Sequence, residues 1–354
     1  VTSNVIHRER VGRPAAYAGP RPEAENAENA ETSGSRGGPD AAEDRGFAFI
    51  VGHRKSGSTW LLNLLSLHPE IRGVTETHLF HHGWTEPDPA RRTEKLFAHT
   101  PWAEGGLKRW PLHQLARLAS PFLLHAKPAL ALAPHERPAA LPDLSLSDQL
   151  RLRRELREVG PSEEYVLRFF RFLKERLRPP RYMIEKSPRN IHHVERILAL
   201  FPTAKLVVIY RDGRDVVVSD RFFTEDYGGG AFSFQETVLR WRRDMEAHLA
   251  WAERHPLCAV SYERLLADGA PVVRGLLQFL GLPADDGRIA DLLERSSFRF
   301  YTGRERGQEN RRRFYRKGIA GDWKNHFTPE HIRIFKELAG DLLIRLGYEE
   351  NMAW

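Results

Sequence analysis

The segment Gly52-His53-Arg54-Lys55-Ser56-Gly57-Ser58-Thr59-Trp60 gathers residue types that can hold an anion. It follows a short apolar run, Phe47-Ala48-Phe49-Ile50-Val51, and leads into a helical pattern. Glycines permit a tight turn there, so backbone N–H groups and a helix N-terminus can cradle a phosphate-like group. The spacing approaches the nucleotide-binding pattern G-x-x-x-x-G-K-S/T. One departure separates the two. Ser58 stands where that pattern has its lysine, and a lysine appears inside the loop at Lys55. A kinase-type loop uses its lysine with Mg²⁺ to neutralise adjacent phosphates. A sulfuryl group carries less negative charge, so its transfer from a phosphosulfate can proceed without a metal, with Lys55 and helix-end amides stabilising the departing phosphate. A P-loop kinase using ATP and Mg²⁺ is the rival reading, and Ser58 argues against it.

Other residues extend the pattern. Arg211 ends the apolar run 204–210, and a guanidinium fork suits phosphate oxygens. An ion pair with Asp215 explains Arg211 equally well. Ser219 can add a hydroxyl from the following helix. Arg316-Lys317-Gly318 is a basic, glycine-punctuated loop, which a solvated turn also explains. Trp60, Tyr262 and Phe298 suit a purine ring or a plain core. Transfer to a hydroxyl needs a base. Glu76 and His78 lie two residues apart, on the same side of the chain if the segment is extended. His78, His81 and His82 lack the framework of a metal site, so no metal is expected. His192 and His193 start a helical pattern and could reach an acceptor.

"RKSGSTWL" resembles the 5'-phosphosulfate loop of sulfotransferases that use 3'-phosphoadenylyl sulfate (PAPS), and further segments match in order. The likeness implies that Arg54, Lys55, Ser56, Gly57, Ser58, Thr59 and Trp60 hold the donor. "VVIYRDGRDVVVS" resembles that family's 3'-phosphate segment, which assigns Arg211 and Ser219. "RKGIAGDWKNHFT" is similar to a segment of the cytosolic members, where Arg316, Lys317 and the Gly318 amide would close over the 3'-phosphate. "VSYERLLAD" and "SSF" assign Tyr262 and Phe298 to adenine, with Trp60 on its other face. The cytosolic members take their base from K-T-H; here Lys186 remains and Pro188 stands where that His belongs. "HPEIRGVTETHLF" resembles the heparan-type and tyrosylprotein enzymes, whose base is a Glu matched by Glu76. The expected catalytic set is therefore Glu76, Lys55 and Lys186, with a dry pocket raising the proton affinity of Glu76. The resemblance covers roughly residues 47 to 330.

These residues need a scaffold of buried strands alternating with helices. Apolar runs at 47–51, 181–185, 204–210 and 257–261 read as parallel strands. Helical patterns fill 59–67, 163–177, 191–201, 215–223 and 234–254. This alternation predicts an α/β fold, a P-loop-like parallel sheet with helices on both faces. Residues 1–45 have almost no bulky apolar residues and read as a disordered tail before a domain over 46–354. Residues 81–160 break the alternation and read as a helical insertion over the acceptor site, with Trp84, Trp102, Trp110 and Phe122 as candidate lining.

The composition bounds the function. Of 354 residues, 54 are Lys or Arg and 47 Asp or Glu, giving +7. That favours anionic partners. The arginines are scattered rather than striped, which argues against nucleic acid. Cys258 is the only cysteine, so an intrachain disulfide is excluded. No apolar run reaches the ~18 residues that span a bilayer, and no signal-peptide core is present. The expected setting is cytoplasmic, and the expected acceptor is a small-molecule, glycan or lipid hydroxyl.

Overall fold

The computed structural model describes residues 46–84, 86–99, 145–178, 181–227, 232–311 and 313–354. The expected tail lies outside them, as do Trp102, Trp110 and Phe122 of the expected insertion.

Five strands form one sheet: β1 (Phe47–Gly52), β2 (Ile71–Thr75), β3 (Tyr182–Lys186), β4 (Lys205–Tyr210) and β5 (Leu257–Ser261). Their order is β2-β3-β1-β4-β5, and every pairing is parallel. The helices are α1 (Ser58–Ser66), α2 (Pro89–His99), α3 (Leu146–Arg157), α4 (Ser162–Leu177), α5 (Val194–Leu200), α6 (Gly213–Tyr227), α7 (Phe234–Arg254), α8 (Tyr262–Ala267), α9 (Gly269–Phe279), α10 (Asp286–Arg295), α11 (Phe298–Thr302) and α12 (Pro329–Arg345). A π-helical turn spans Leu79–Gly83, and 3₁₀ turns span Pro188–His192 and Asp322–Asn325.

The central strand explains the two-faced architecture. In β1 every residue is buried, and successive side chains point to opposite faces. Phe47, Phe49 and Val51 join a core with Phe169, Phe170 and Phe201. Ala48 and Ile50 join the opposite core with Leu61, Leu64 and Leu65 of α1. Each strand feeds a helix or turn at its C-terminal end, so the ends of β1 to β4 deliver the candidate residues to one edge of the sheet, where ligand sites of such folds lie.

β2 is a sheet member that the apolar runs do not announce. Its sequence, Ile71-Arg72-Gly73-Val74-Thr75, is cut by an exposed Arg. At the sheet edge only part of the strand needs to be apolar. The region after it holds a π-helical turn, α2 and α3 among the described residues. His192 ends a 3₁₀ turn, and His193 is the N-cap of α5, which starts at Val194.

Candidate active site

The loop between β1 and α1 is built around two left-handed residues, Lys55 (φ 66°) and Gly57 (φ 92°). Gly57 is the N-cap of α1. A Cβ there would lie 2.7 Å from the Tyr262 ring, so the position accepts only glycine without displacement. Ser56 and Ser58 are buried, while Thr59 and Trp60 are half-buried. Arg54 Nε meets Asp220 at 2.8 Å. The Lys55 ammonium lies 4.9 Å over the Phe314 ring. Burial, then Arg54 and Arg211, bring its pKa down to about 7, with Asp220 and Glu76 opposing. A cation held this reluctantly is poised to pair with an incoming anion.

Arg211, at the end of β4, reaches the same loop. Its guanidinium donates to Lys55 O at 3.3 Å and to Ile319 O at 3.0 Å, and lies 4.3 Å over Tyr262. It also lies 3.5 Å from Asp215, so the ion pair coexists with the contact to the loop after β1. Asp215 in turn accepts from the Gly321 and Trp323 amides, at 2.7 and 2.9 Å. That ties the 316–323 loop to α6. Arg316 and Lys317 lie in this loop, and both donate to Asp322, at 2.5 and 2.6 Å. Ser219 is half-buried on α6.

The aromatic residues divide. Trp60 and Tyr262 meet edge to face at 5.7 Å, and the Trp60 indole donates to Ser296 O at 2.8 Å. Tyr262 is nearly buried, with one face against Arg211. Phe298 packs on Gly318 instead, where an added Cβ would lie 2.4 Å from the ring.

On the other side of β1, Glu76 follows β2. Lys186, the last residue of β3, donates its Nζ to Glu76 Oε1 at 2.5 Å, and His78 Nε2 lies 3.6 Å from Oε2. Burial alone would raise the Glu76 pKa, but Lys186 and then His78 outweigh it and hold the carboxyl well below the usual range. This corrects the expected rise in proton affinity. Glu76 and His78 are both left-handed, at φ 44° and 51°.

Two partner sets escaped the sequence reading. Glu185, fully buried in β3, accepts from Thr77 N at 3.1 Å, Thr77 Oγ1 at 2.9 Å, Ser187 Oγ at 2.5 Å and Asn190 Nδ2 at 2.9 Å. It thus pins the residue between Glu76 and His78. Its signal was a lone acid inside a buried run. Asp244 of α7 accepts from His53 Nδ1 at 2.6 Å and His192 Nε2 at 2.7 Å, stapling the loop after β1 to the turn after β3. Nothing local marks that pairing. Among the described residues no group of three or more His, Cys, Asp or Glu side chains is placed to hold a metal ion.

A family model described as the sulfotransferase family matches residues 48–286. The 3-beta-hydroxysteroid sulfotransferase of Cavia porcellus is 28% identical over 196 residues, 48% of this chain and 65% of that protein. Cytosolic sulfotransferase 1 of Arabidopsis thaliana is 29% identical over 159 residues, 36% of this chain and 46% of that protein. The chain thus spans about half to two thirds of these curated relatives. A solved sulfotransferase domain from the curacin biosynthetic pathway superimposes with a TM-score of 0.52 at 18% identity, covering 83% of this chain and 98% of that one. That likeness supports the fold alone.

Proposed function

The chain belongs to the sulfotransferase family, and from that premise we propose that it moves a sulfuryl group from PAPS to a hydroxyl. The observation that carries the reading is the loop after β1. Ser58 is buried at the position of a kinase lysine, while Lys55 turns left-handed beside Arg211. The donor supplies the sulfuryl group and a phosphate leaving group. Lys55 and the N-terminal amides of α1 would meet the charge released on that phosphate. Arg211, Ser219, Arg316, Lys317 and the Gly318 amide would hold the 3'-phosphate, and Trp60, Tyr262 and Phe298 the adenine.

The acceptor hydroxyl must lose its proton as its oxygen bonds to sulfur and the bond to the leaving phosphate oxygen breaks. Glu76 is the assigned base. While Lys186 is bound to it, Glu76 is a poor proton acceptor. Movement of the Lys186 ammonium towards the transferring oxygens would stabilise them and free Glu76 to take the proton, so the two events support each other. His78 is the second candidate.

The acceptor class is a hydroxyl compound, in keeping with the hydroxysteroid named for the Cavia porcellus relative. A cytoplasmic location is in keeping with the name of the plant relative. Among the described residues no helix is long and apolar enough to cross a membrane.

Calorimetry tests the reading. Adenosine 3',5'-bisphosphate should bind without Mg²⁺. Binding of ATP that requires Mg²⁺ would support the kinase instead. Glu76→Gln should cost about 10² or more in turnover, the scale of a lost general base, with bisphosphate affinity within about twofold. If Glu76→Gln stays active and His78→Asn does not, the base is His78.

A further inference from the structure

The staple on Asp244 has an electrostatic consequence. It draws three segments together, and each carries arginine at the junction. Arg54 follows His53 in the loop after β1. Arg189 lies three residues before His192 in the turn after β3. Arg240 and Arg243 precede Asp244 on α7 by four residues and by one. Arg240 therefore shares a helix face with Asp244.

Among the described residues the acids nearby do not balance these cations. Asp244 is buried, with its oxygens taken by the two imidazoles, and Arg243 Nη2 lies 3.5 Å away. Asp220 is buried against Arg54. Glu236, one turn before Arg240, is engaged in the capping box of α7 with Ser233. Arg189 is exposed and forms no ion pair among the described residues. Partial desolvation, then Arg240 and Arg243, lower its pKa; Asp244 opposes them and Arg54 adds to them. The staple thus brings four arginines to one junction, where the Arg240 guanidinium lies 3.4 Å over the Phe232 ring and the two buried carboxylates are already engaged.

The position of this region is specific. Arg189 comes three residues after Lys186 and two after Ser187, whose Oγ accepts from the His78 amide at 3.3 Å. His78 in turn lies 3.6 Å from Glu76. The groups assigned to the 3'-phosphate, Arg211 and Arg316, depend on β4 and on Asp322 instead. The excess charge therefore lies on the β3 side of the donor loop, where the acceptor must approach.

We propose that Arg189, Arg240 and Arg243, with Arg54 beside them, form a subsite for negatively charged groups on the acceptor, so that this protein modifies a hydroxyl on a molecule already bearing carboxylate or sulfate groups. The proposal rests on the sulfuryl-transfer reading of the site. It departs from what a hydroxysteroid acceptor would require, since a neutral apolar molecule gains nothing from four guanidiniums.

The test is calorimetric, on the full chain saturated with adenosine 3',5'-bisphosphate, using a dextran sulfate oligosaccharide and unsulfated dextran of equal length as probes. The sulfated probe should bind and the neutral one should not. Arg189→Ala/Arg243→Ala should weaken sulfated-probe binding about tenfold or more, as expected for lost charge-assisted contacts. Arg288→Ala/Arg295→Ala, which removes the same charge from α10, should change it less than about twofold if net charge matters little. Bisphosphate affinity should be the same in both variants. Equal losses in the two variants, or no binding of the sulfated probe, would overturn the proposal. So would a bisphosphate affinity that falls with Arg189 and Arg243, which would assign these arginines to the donor. Failure of the wild-type protein to bind the bisphosphate would instead strike the sulfuryl-transfer reading.

Discussion

Lys55 offers a prediction that can be worked to a number. Its ammonium sits half-buried between the Arg54 and Arg211 charges, and its pKa is down to about 7. At pH 8 the empty protein therefore carries a neutral amine in about nine molecules of ten. A bound 5'-phosphate beside it restores the ammonium, so binding draws about 0.9 proton from the buffer at pH 8. The sign follows directly. A group protonated only in the complex makes affinity fall as pH rises above its value in the empty protein. Between pH 7 and pH 8 the loss is about fivefold, and above pH 8 it approaches tenfold per unit. Adenosine 3',5'-bisphosphate is the suitable ligand, because its phosphates are fully ionised at pH 8 and contribute no protons. Calorimetry in HEPES and Tris, whose ionisation enthalpies differ, gives the uptake as the slope of observed heat against buffer enthalpy. Lys55→Met keeps an unbranched side chain of similar length without the ammonium and should abolish both the uptake and the steep pH dependence. An uptake below about 0.3 in the wild type, or one unchanged in Lys55→Met, would refute the reasoning, since about 0.9 is required.

Two further outcomes concern the nucleotide side. Arg211→Ala should weaken adenosine 3',5'-bisphosphate by about ten- to a hundredfold, the worth of a buried charge-assisted contact, and adenosine 5'-phosphate by much less; equal losses would make Arg211 structural. Asp322 is buried, which works against its ionisation, yet Lys317 and Arg316 hold its pKa below the usual range. A carboxylate depressed in the folded state contributes stability that is present above its unfolded pKa and lost as pH falls. Asp322→Asn should therefore lower the melting temperature at pH 7 and flatten its decline below about pH 5, where the unfolded chain's carboxylate takes up its proton while the depressed native one does not. An acid limb identical to wild type would exclude that role.

The parts legible in the sequence were those carried by contiguous residues. β1, its loop and α1 form one continuous signal, because the buried strand β1 is apolar throughout and the turn after it needs Gly57. The placement of Arg211 beside that loop followed from its position at the end of β4. The partners were not legible. His53 and Asp244 are 191 residues apart, and Thr77 and Glu185 are 108 apart. Such pairings depend on sheet order, which periodicity does not encode. β2 was hidden because an edge strand tolerates Arg72 and Gly73. The proton affinity of Glu76 was misjudged for a related reason. Burial was foreseeable from the pocket, but the Lys186 ammonium that outweighs it arrives from a different strand.

The strand order carries a further consequence, for how such a protein can diversify. β1 is flanked by β3 and β2 on one side and by β4 and β5 on the other. The groups assigned to the nucleotide hang from β1, β4 and the segments after β5, while Glu76, Lys186 and Arg189 hang from β2 and β3. Mutations that re-tailor the second set leave the first set's backbone supports in place. Lineages can therefore drift in what they modify while the donor half stays fixed, and a library confined to His81, Trp84, Arg189 and His193, which spares Glu76, Lys186 and the His192 staple, would sample new acceptors on an unchanged nucleotide platform.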